Sequence, residues 1–180
     1  MSDDGGRVGT CLVTVGTTQF DALIDTLDRE YDGVLKAVVK RGMSRLHVQY
    51  GKSAPPCQLQ EQGRHYGVTV VADAFVEKFN EVIAASDLVV SHAGAGSIIE
   101  SLRAGKPLIV VVNDTLMDNH QLELAENLAD QGHLIWAPVT GVVDALANAN
   151  LDDLRPLPAA NSRQLWRDIS HDLGFHSSSI

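Results

Sequence analysis

Short apolar runs alternate along this chain with segments whose apolar residues recur at helical spacing, and that alternation restricts the fold more than any other feature. Val8 to Val15 reads as a first strand ending at Gly16. Phe20, Leu23, Ile24 and Leu27 then follow the i, i+3, i+4, i+7 pattern of an amphipathic helix. Leu46, Val48 and Tyr50 alternate with His47 and Gln49, which predicts a second strand with one wetter face. Gly51 to Pro56 is a loop, because Pro and Gly interrupt both regular structures. Val68 to Ala72 is a third strand, and Phe75, Phe79, Val82 and Ile83 follow at helical spacing. Leu88 to Val90 is a fourth strand, and a helix from about Ser97 to Ala104 stops at Gly105 with Pro107 beyond it. Leu108 to Val112 is uninterrupted and β-branched, the pattern of a strand covered on both faces. A helix from Asn119 to Asp130, closed by Gly132, precedes a last short strand, Leu134 to Trp136. Strands and helices in this alternation predict βαβ units, hence an α/β fold with a doubly wound parallel sheet. Ligands bind such sheets beyond the carboxyl ends of the strands.

A chain of 180 residues suits one domain with a short extension. Residues 1–7 are expected to be disordered, 8–140 to form the sheet domain, 141–175 a C-terminal helical segment, and 176–180 a frayed tail. Within that segment Val142 to Ala149 is a short helix, and Ser162 is placed to cap a last helix through Leu173. Lys plus Arg number 14 against 23 Asp plus Glu. This acidic balance, without a basic block, lacks the electrostatic footprint of a nucleic-acid binder and disfavours anionic lipid. Cys11 and Cys57 make neither a disulfide framework nor a zinc site. The acidic start has no secretory signal, and no apolar stretch approaches the ~18 residues of a membrane span, so a cytosolic chain is expected.

Two loops carry the chemistry. In Val15-Gly16-Thr17-Thr18-Gln19-Phe20, a glycine after a strand and hydroxyls at a helix start suit a phosphate. The same residues also read as a capping box of Thr18 with Asp21. In Ser91-His92-Ala93-Gly94-Ala95-Gly96-Ser97, small residues around two glycines let backbone approach a bulky ligand. Ile99 departs from the dinucleotide fingerprint, Ala95 and Ile99 from a nucleophile elbow, and Leu46 from a P-loop ending in Gly51-Lys52-Ser53. Glu100 completes a capping box with Ser97, or accepts ribose hydroxyls one turn into the helix. Asn113 to Gln121 is a polar segment leading into a helix, either a crevice mouth or an ordinary loop. With no His-Glu-x-x-His and no Asp-x-Asp, a metal-independent site is expected.

Val13-Thr14-Val15-Gly16-Thr17-Thr18-Gln19-Phe20-Asp21, Ser91 to Ser97, Gly105-Lys106-Pro107-Leu108 and Asn119 to Ala125 occur in this order. In them the chain resembles glycosyltransferase family 28 C-terminal domains, and among these the donor-binding subunits of eukaryotic two-subunit N-acetylglucosaminyltransferases. The resemblance covers about residues 8 to 140. It implies a Rossmann-like half of a B-type glycosyltransferase that binds UDP-N-acetylglucosamine without a cofactor. Gly16, Thr17 and Thr18 are then expected near the diphosphate or the acceptor. Gly94, Ala95, Gly96 and Ser97 would meet the diphosphate at a helix N-terminus and Glu100 the ribose, with Ser91 and His92 also in the donor site. Asn119, His120 and Gln121 would contact the sugar, His120 standing where bacterial relatives often carry glutamine.

The implied reaction inverts the anomeric carbon: the 4-hydroxyl of N-acetylglucosaminyl-diphospho-dolichol attacks and UDP leaves. The resemblance places the acceptor site, and the base, on a membrane-anchored partner subunit, with His92 the candidate base in this chain. It also implies recruitment to the cytosolic face of the endoplasmic reticulum and inactivity of the chain alone. Leu165, Trp166, Ile169 and Leu173 form an apolar stripe that packs either on the domain itself or on that partner. Two alternatives stay open: a subunit of a bacterial-type split exopolysaccharide transferase, and a non-catalytic nucleotide-sugar-binding regulator.

Overall fold

The computed structural model describes residues 8–112 and 119–157, with the side chains of residues 119–121 left out. Its strands are β1 (Thr10–Thr14), β2 (Arg45–Gln49), β3 (Thr69–Asp73), β4 (Leu88–His92), β5 (Leu108–Val112) and β6 (Ile135–Pro138). The helices are α1 (Asp21–Arg29), α2 (Tyr31–Lys40), α3 (Cys57–Gln62), α4 (Phe79–Ala85), α5 (Ala95–Arg103), α6 (Asn119–Asp130) and α7 (Val142–Asn148). The strands make one sheet in the order β3-β2-β1-β4-β5-β6, and every neighbouring pair is parallel. A Rossmann-like α/β fold is thus what the alternation produces.

Each strand sends alternate side chains to opposite faces, and both faces are covered. On one face Cys11, Val13, Leu46, Val48, Leu88, Val90, Ile109 and Val111 pack under apolar residues of α1, α2, α3 and α7. On the other, Leu12, Val89, Leu108, Val110 and Val112 meet Ile83 of α4, Ile98 and Leu102 of α5, and Ala125 and Leu128 of α6. Burying one such side chain contributes about 1.5–3 kcal/mol, so the two-sided cover explains why β5 has no polar residue at all.

Several boundaries differ from the sequence expectation. The first strand starts at Thr10, leaving Val8 58% exposed. Phe75, expected on a helix, precedes α4 and is 63% exposed, because the chain turns through Lys78 at φ +50° before the helix begins. The last strand runs Ile135–Pro138. Helices α2 and α3 were not anticipated.

Helix α7 packs against α2 within the domain. Gly33 of α2 makes the approach possible, since a Cβ there would stand 2.8 Å from Val143 Cγ1. Arg41, just past α2, donates to the carbonyl oxygens of Leu146, Ala145 and Ala149. Ala145 O also accepts from Ala149 N–H at 3.0 Å, whereas the Leu146 and Ala149 carbonyls lie past the last intrahelical bond of α7, where a cation is favoured by the helix dipole. Lys40 Nζ adds a bond to Asn148 Oδ1 at 2.7 Å. The expected last helix from Ser162 and the stripe Leu165, Trp166, Ile169 and Leu173 lie outside the described residues, as do residues 1–7 and 176–180.

Candidate functional site

From β1 the chain proceeds through β2 to β3 on one side, whereas β4, on the other flank of β1, leads to β5 and β6. The connections after β1 and β4 therefore diverge, and a crevice opens between the carboxyl ends of these two strands. Both loops singled out in the sequence end there: Gly16 to Gln19 after β1, and Ala93-Gly94 after β4.

The β4 side is shorter than expected. The strand extends through His92, Gly94 is the N-cap with φ −79° and ψ 124°, and α5 begins at Ala95. Ser97 is therefore inside the first turn, and its capping box with Glu100 is not formed: α5 has no side-chain cap. Gly94 N–H donates to His92 O and Ile98 N–H to Gly94 O, but Ala95, Gly96 and Ser97 N–H have no backbone acceptor among the described residues. Three donors without a partner among the described residues, at the positive end of a helix dipole, favour an anion. A Cβ on Gly96 would meet nothing within 4 Å among the described residues, so the Gly96 side of this first turn is open. Glu100 is half-buried one turn further in, and its carboxylate has no hydrogen-bond partner among the described residues.

The β1 side is held from within. Gly16 has φ +61°, a conformation that favours glycine. Its N–H donates to Thr14 Oγ1 at 3.0 Å, and the Thr14 hydroxyl donates to Gln49 Oε1 at 2.7 Å. Thr18 does not cap α1: its hydroxyl donates to Val15 O at 2.7 Å, Phe20 is the N-cap, and Phe20 N–H donates to Ser53 Oγ. Backbone donors of Gly16 and Thr18 are thus spent inside the loop, Thr18 N–H on Val15 O at 3.3 Å. This loop therefore keeps fewer backbone donors for an anion than the first turn of α5 does. Gly51 buttresses it from β2's side, with φ +59° and a hypothetical Cβ only 2.2 Å from Thr18 O.

His92 bridges the two sides. Cβ atoms built on Gly16 and Gly94 would lie 3.2 Å and 2.7 Å from its Cε1, so the ring sits between two positions that carry no side chain. Its Nδ1 is buried without a hydrogen-bond partner among the described residues. Burial pushes the imidazole below its ordinary range, the nearby Thr14 backbone working the other way, so His92 is neutral near pH 7.

Ser91 is fully buried, its hydroxyl donating to His92 O at 2.9 Å, which points it away from a ligand role. Asn119, His120 and Gln121 form the first turn of α6, the helix after β5, and their side chains are outside the described set. Among the described residues no group of three or more His, Cys, Asp or Glu is placed to hold a metal ion. No helix among them is long and apolar enough to cross a membrane. Sequence reasoning missed Gln49, read as a wet-face residue but only 2% exposed, and Gly51. Neither has a local signal, because each acts on a loop more than 30 residues away.

Residues 10–171 match the glycosyltransferase family 28 C-terminal domain. The chain is 36% identical to UDP-N-acetylglucosamine transferase subunit ALG13 of Eremothecium gossypii, covering 90% of this chain and 93% of that protein. It is 42% identical over 124 residues to the subunit of the same name in Homo sapiens, covering 69% of this chain and 10% of the human protein. The chain thus spans about a tenth of the length of the human relative. An NMR structure of ALG13 superposes with a TM-score of 0.68 at 28% identity, covering 91% and 96% of the two chains. MurG of Acinetobacter baumannii, at 19% identity and a TM-score of 0.59 over 94% of this chain and 50% of that one, shares the fold.

Proposed function

Because the chain belongs to the glycosyltransferase family 28 C-terminal domain family, we propose that it is the donor-binding subunit of an N-acetylglucosaminyltransferase and takes UDP-N-acetylglucosamine at the β1/β4 crevice. The observation that carries this reading is the open first turn of α5, where Ala95, Gly96 and Ser97 offer free N–H donors in front of an empty Gly96 side. A diphosphate laid there gains the helix dipole and charge-assisted hydrogen bonds without a metal. Glu100, free of a capping role, is within one turn and accepts the ribose hydroxyls. Asn119, His120 and Gln121, in the first turn of α6, take the sugar.

The reaction is an inverting transfer to the 4-hydroxyl of N-acetylglucosaminyl-diphospho-dolichol. It requires stabilisation of the leaving diphosphate and a base for the attacking hydroxyl. The α5 N-terminus supplies the first. The second is assigned to a membrane-anchored partner, which also carries the acceptor and recruits the chain to the cytosolic face of the endoplasmic reticulum. The fit of the His92 ring between Gly16 and Gly94 favours a spacing role over that of the base. Calorimetric titration with UDP-N-acetylglucosamine and with UDP tests the reading: wild type binds both saturably, and Glu100→Ala weakens both by about tenfold, on the order of one charge-assisted hydrogen bond. Equal affinity in the variant would remove Glu100 from the ribose. No binding to the chain with its partner would remove the donor site.

A further inference from the structure

Asp73, Gln49, Thr14 and Ser91 are register partners across β3, β2, β1 and β4, and so form one polar row at the carboxyl ends of the strands. Thr14 and Ser91 are fully buried and Gln49 is 2% exposed. Buried polar groups weaken a sheet centre unless they are satisfied, and an apolar set of the same shape would serve packing as well. The Thr14–Gln49 pair has a definite direction. Thr14 Oγ1 accepts from Gly16 N–H at 3.0 Å, so its one proton is available for Gln49 Oε1 at 2.7 Å. A flipped amide would leave Oγ1 accepting twice and donating nothing. The end of this relay is Gly16, whose open Cα side lies against the His92 ring. Thr14 and Gln49 thereby hold Gly16 against the His92 ring from within the sheet.

We infer that Thr14 and Gln49 are positioning residues for the sugar transfer: they hold Gly16 at φ +61° and with it Thr17 and Thr18, opposite the α5 N-terminus. The inference rests on the donor-site reading. Since the diphosphate rests on α5, loss of the relay acts on turnover more than on donor affinity. The test uses the chain together with its partner subunit, UDP-N-acetylglucosamine and a short-chain N-acetylglucosaminyl-diphospho-polyprenol. Thr14→Val lowers kcat about tenfold, leaves donor KM within about twofold, and Thr14→Ser restores kcat. In parallel, amide exchange at Gly16 rises by about tenfold in Thr14→Val while that of Val90 in the core is unchanged. Gln49→Met, which keeps volume and lacks the acceptor, gives the same test should Thr14→Val fail to fold. Unchanged Gly16 exchange overturns the relay, and faster exchange with unchanged kcat overturns the positioning role. If the wild-type pair transfers no sugar, the donor reading fails and takes the positioning role with it, while Gly16 exchange still decides whether the relay exists.

Discussion

Replacing Gly94 by alanine tests the architecture of the crevice with one methyl group. Gly94 has φ −79° and ψ 124°, which alanine adopts without strain, so only space is at issue. The new Cβ would stand 2.2 Å from His92 Nε2, 2.7 Å from Cε1 and 3.0 Å from Cδ2. Ordinary contact begins near 3.4 Å, so the ring has to retreat by about 1.2 Å. Its Nδ1 is buried, and Gly16 closes the far side of Cε1, so the shift spreads into the β1 loop. Overpacking of this kind costs about 1–3 kcal/mol. We expect about 2 kcal/mol, read as a lower urea midpoint at constant m, or as a fall of about 4–8 °C in Tm for a domain of this size. The cause is isolated by a double-mutant cycle: with His92→Ala in place, the same methyl costs less than about 0.5 kcal/mol. A Gly94→Ala protein as stable as wild type refutes the argument, as does a cost that persists undiminished in the His92→Ala background.

Three further outcomes follow from single groups. Arg41→Ala strips the α7 C-terminus of its guanidinium donor and destabilises the domain by about 2 kcal/mol in urea unfolding, whereas Lys40→Ala, at an exposed bond to Asn148, stays within about 0.5 kcal/mol. Burial pushes the Cys11 thiol up to about 12, so the native state keeps a proton that the unfolded chain loses near 9; the stability it contributes is present below about 9 and falls away between 9 and 12. Cys11→Ser flattens that alkaline decline, and iodoacetamide at pH 8 modifies exposed Cys57 alone in the native protein. His92 is the opposite case: its pKa is depressed by burial, so stability present above the unfolded value of 6.5 is lost as pH falls through the native one, and His92→Asn reduces the slope of stability against pH below 6.5.

Strand existence and the loops at the crevice were legible because both depend on local pattern: a continuous β-branched run for β5, and small residues between β4 and a helix. Register follows from that pattern, since a one-residue slip would turn Leu12 and Val89 to the wrong face. What was illegible depends on partners far away in sequence. Helix α2 carries Gly33, a poor helix residue, because α7 lies against it more than 100 residues later. Gln49 reads as solvent-facing by alternation, yet is buried because the Thr14 hydroxyl donates to its amide oxygen. Ser97 and Glu100 fit a capping box, but Gly94 starts the helix earlier because its backbone turns within one residue of β4. The misread cap bears on the proposed donor site, since without it Ala95, Gly96 and Ser97 N–H and the Glu100 carboxylate have no partner among the described residues.

The proposed function places the UDP-sugar at the α5 N-terminus. Its most direct test is an amide chemical-shift titration of the isotopically labelled chain, alone and with its partner, by UDP-N-acetylglucosamine at up to millimolar concentration. Saturable shifts are expected, largest at Ala95, Gly96 and Ser97, smaller at Thr17, and negligible at the amino ends of the strands around Thr10 and Arg45. Shifts centred elsewhere, or none at these three amides in either sample, would contradict it.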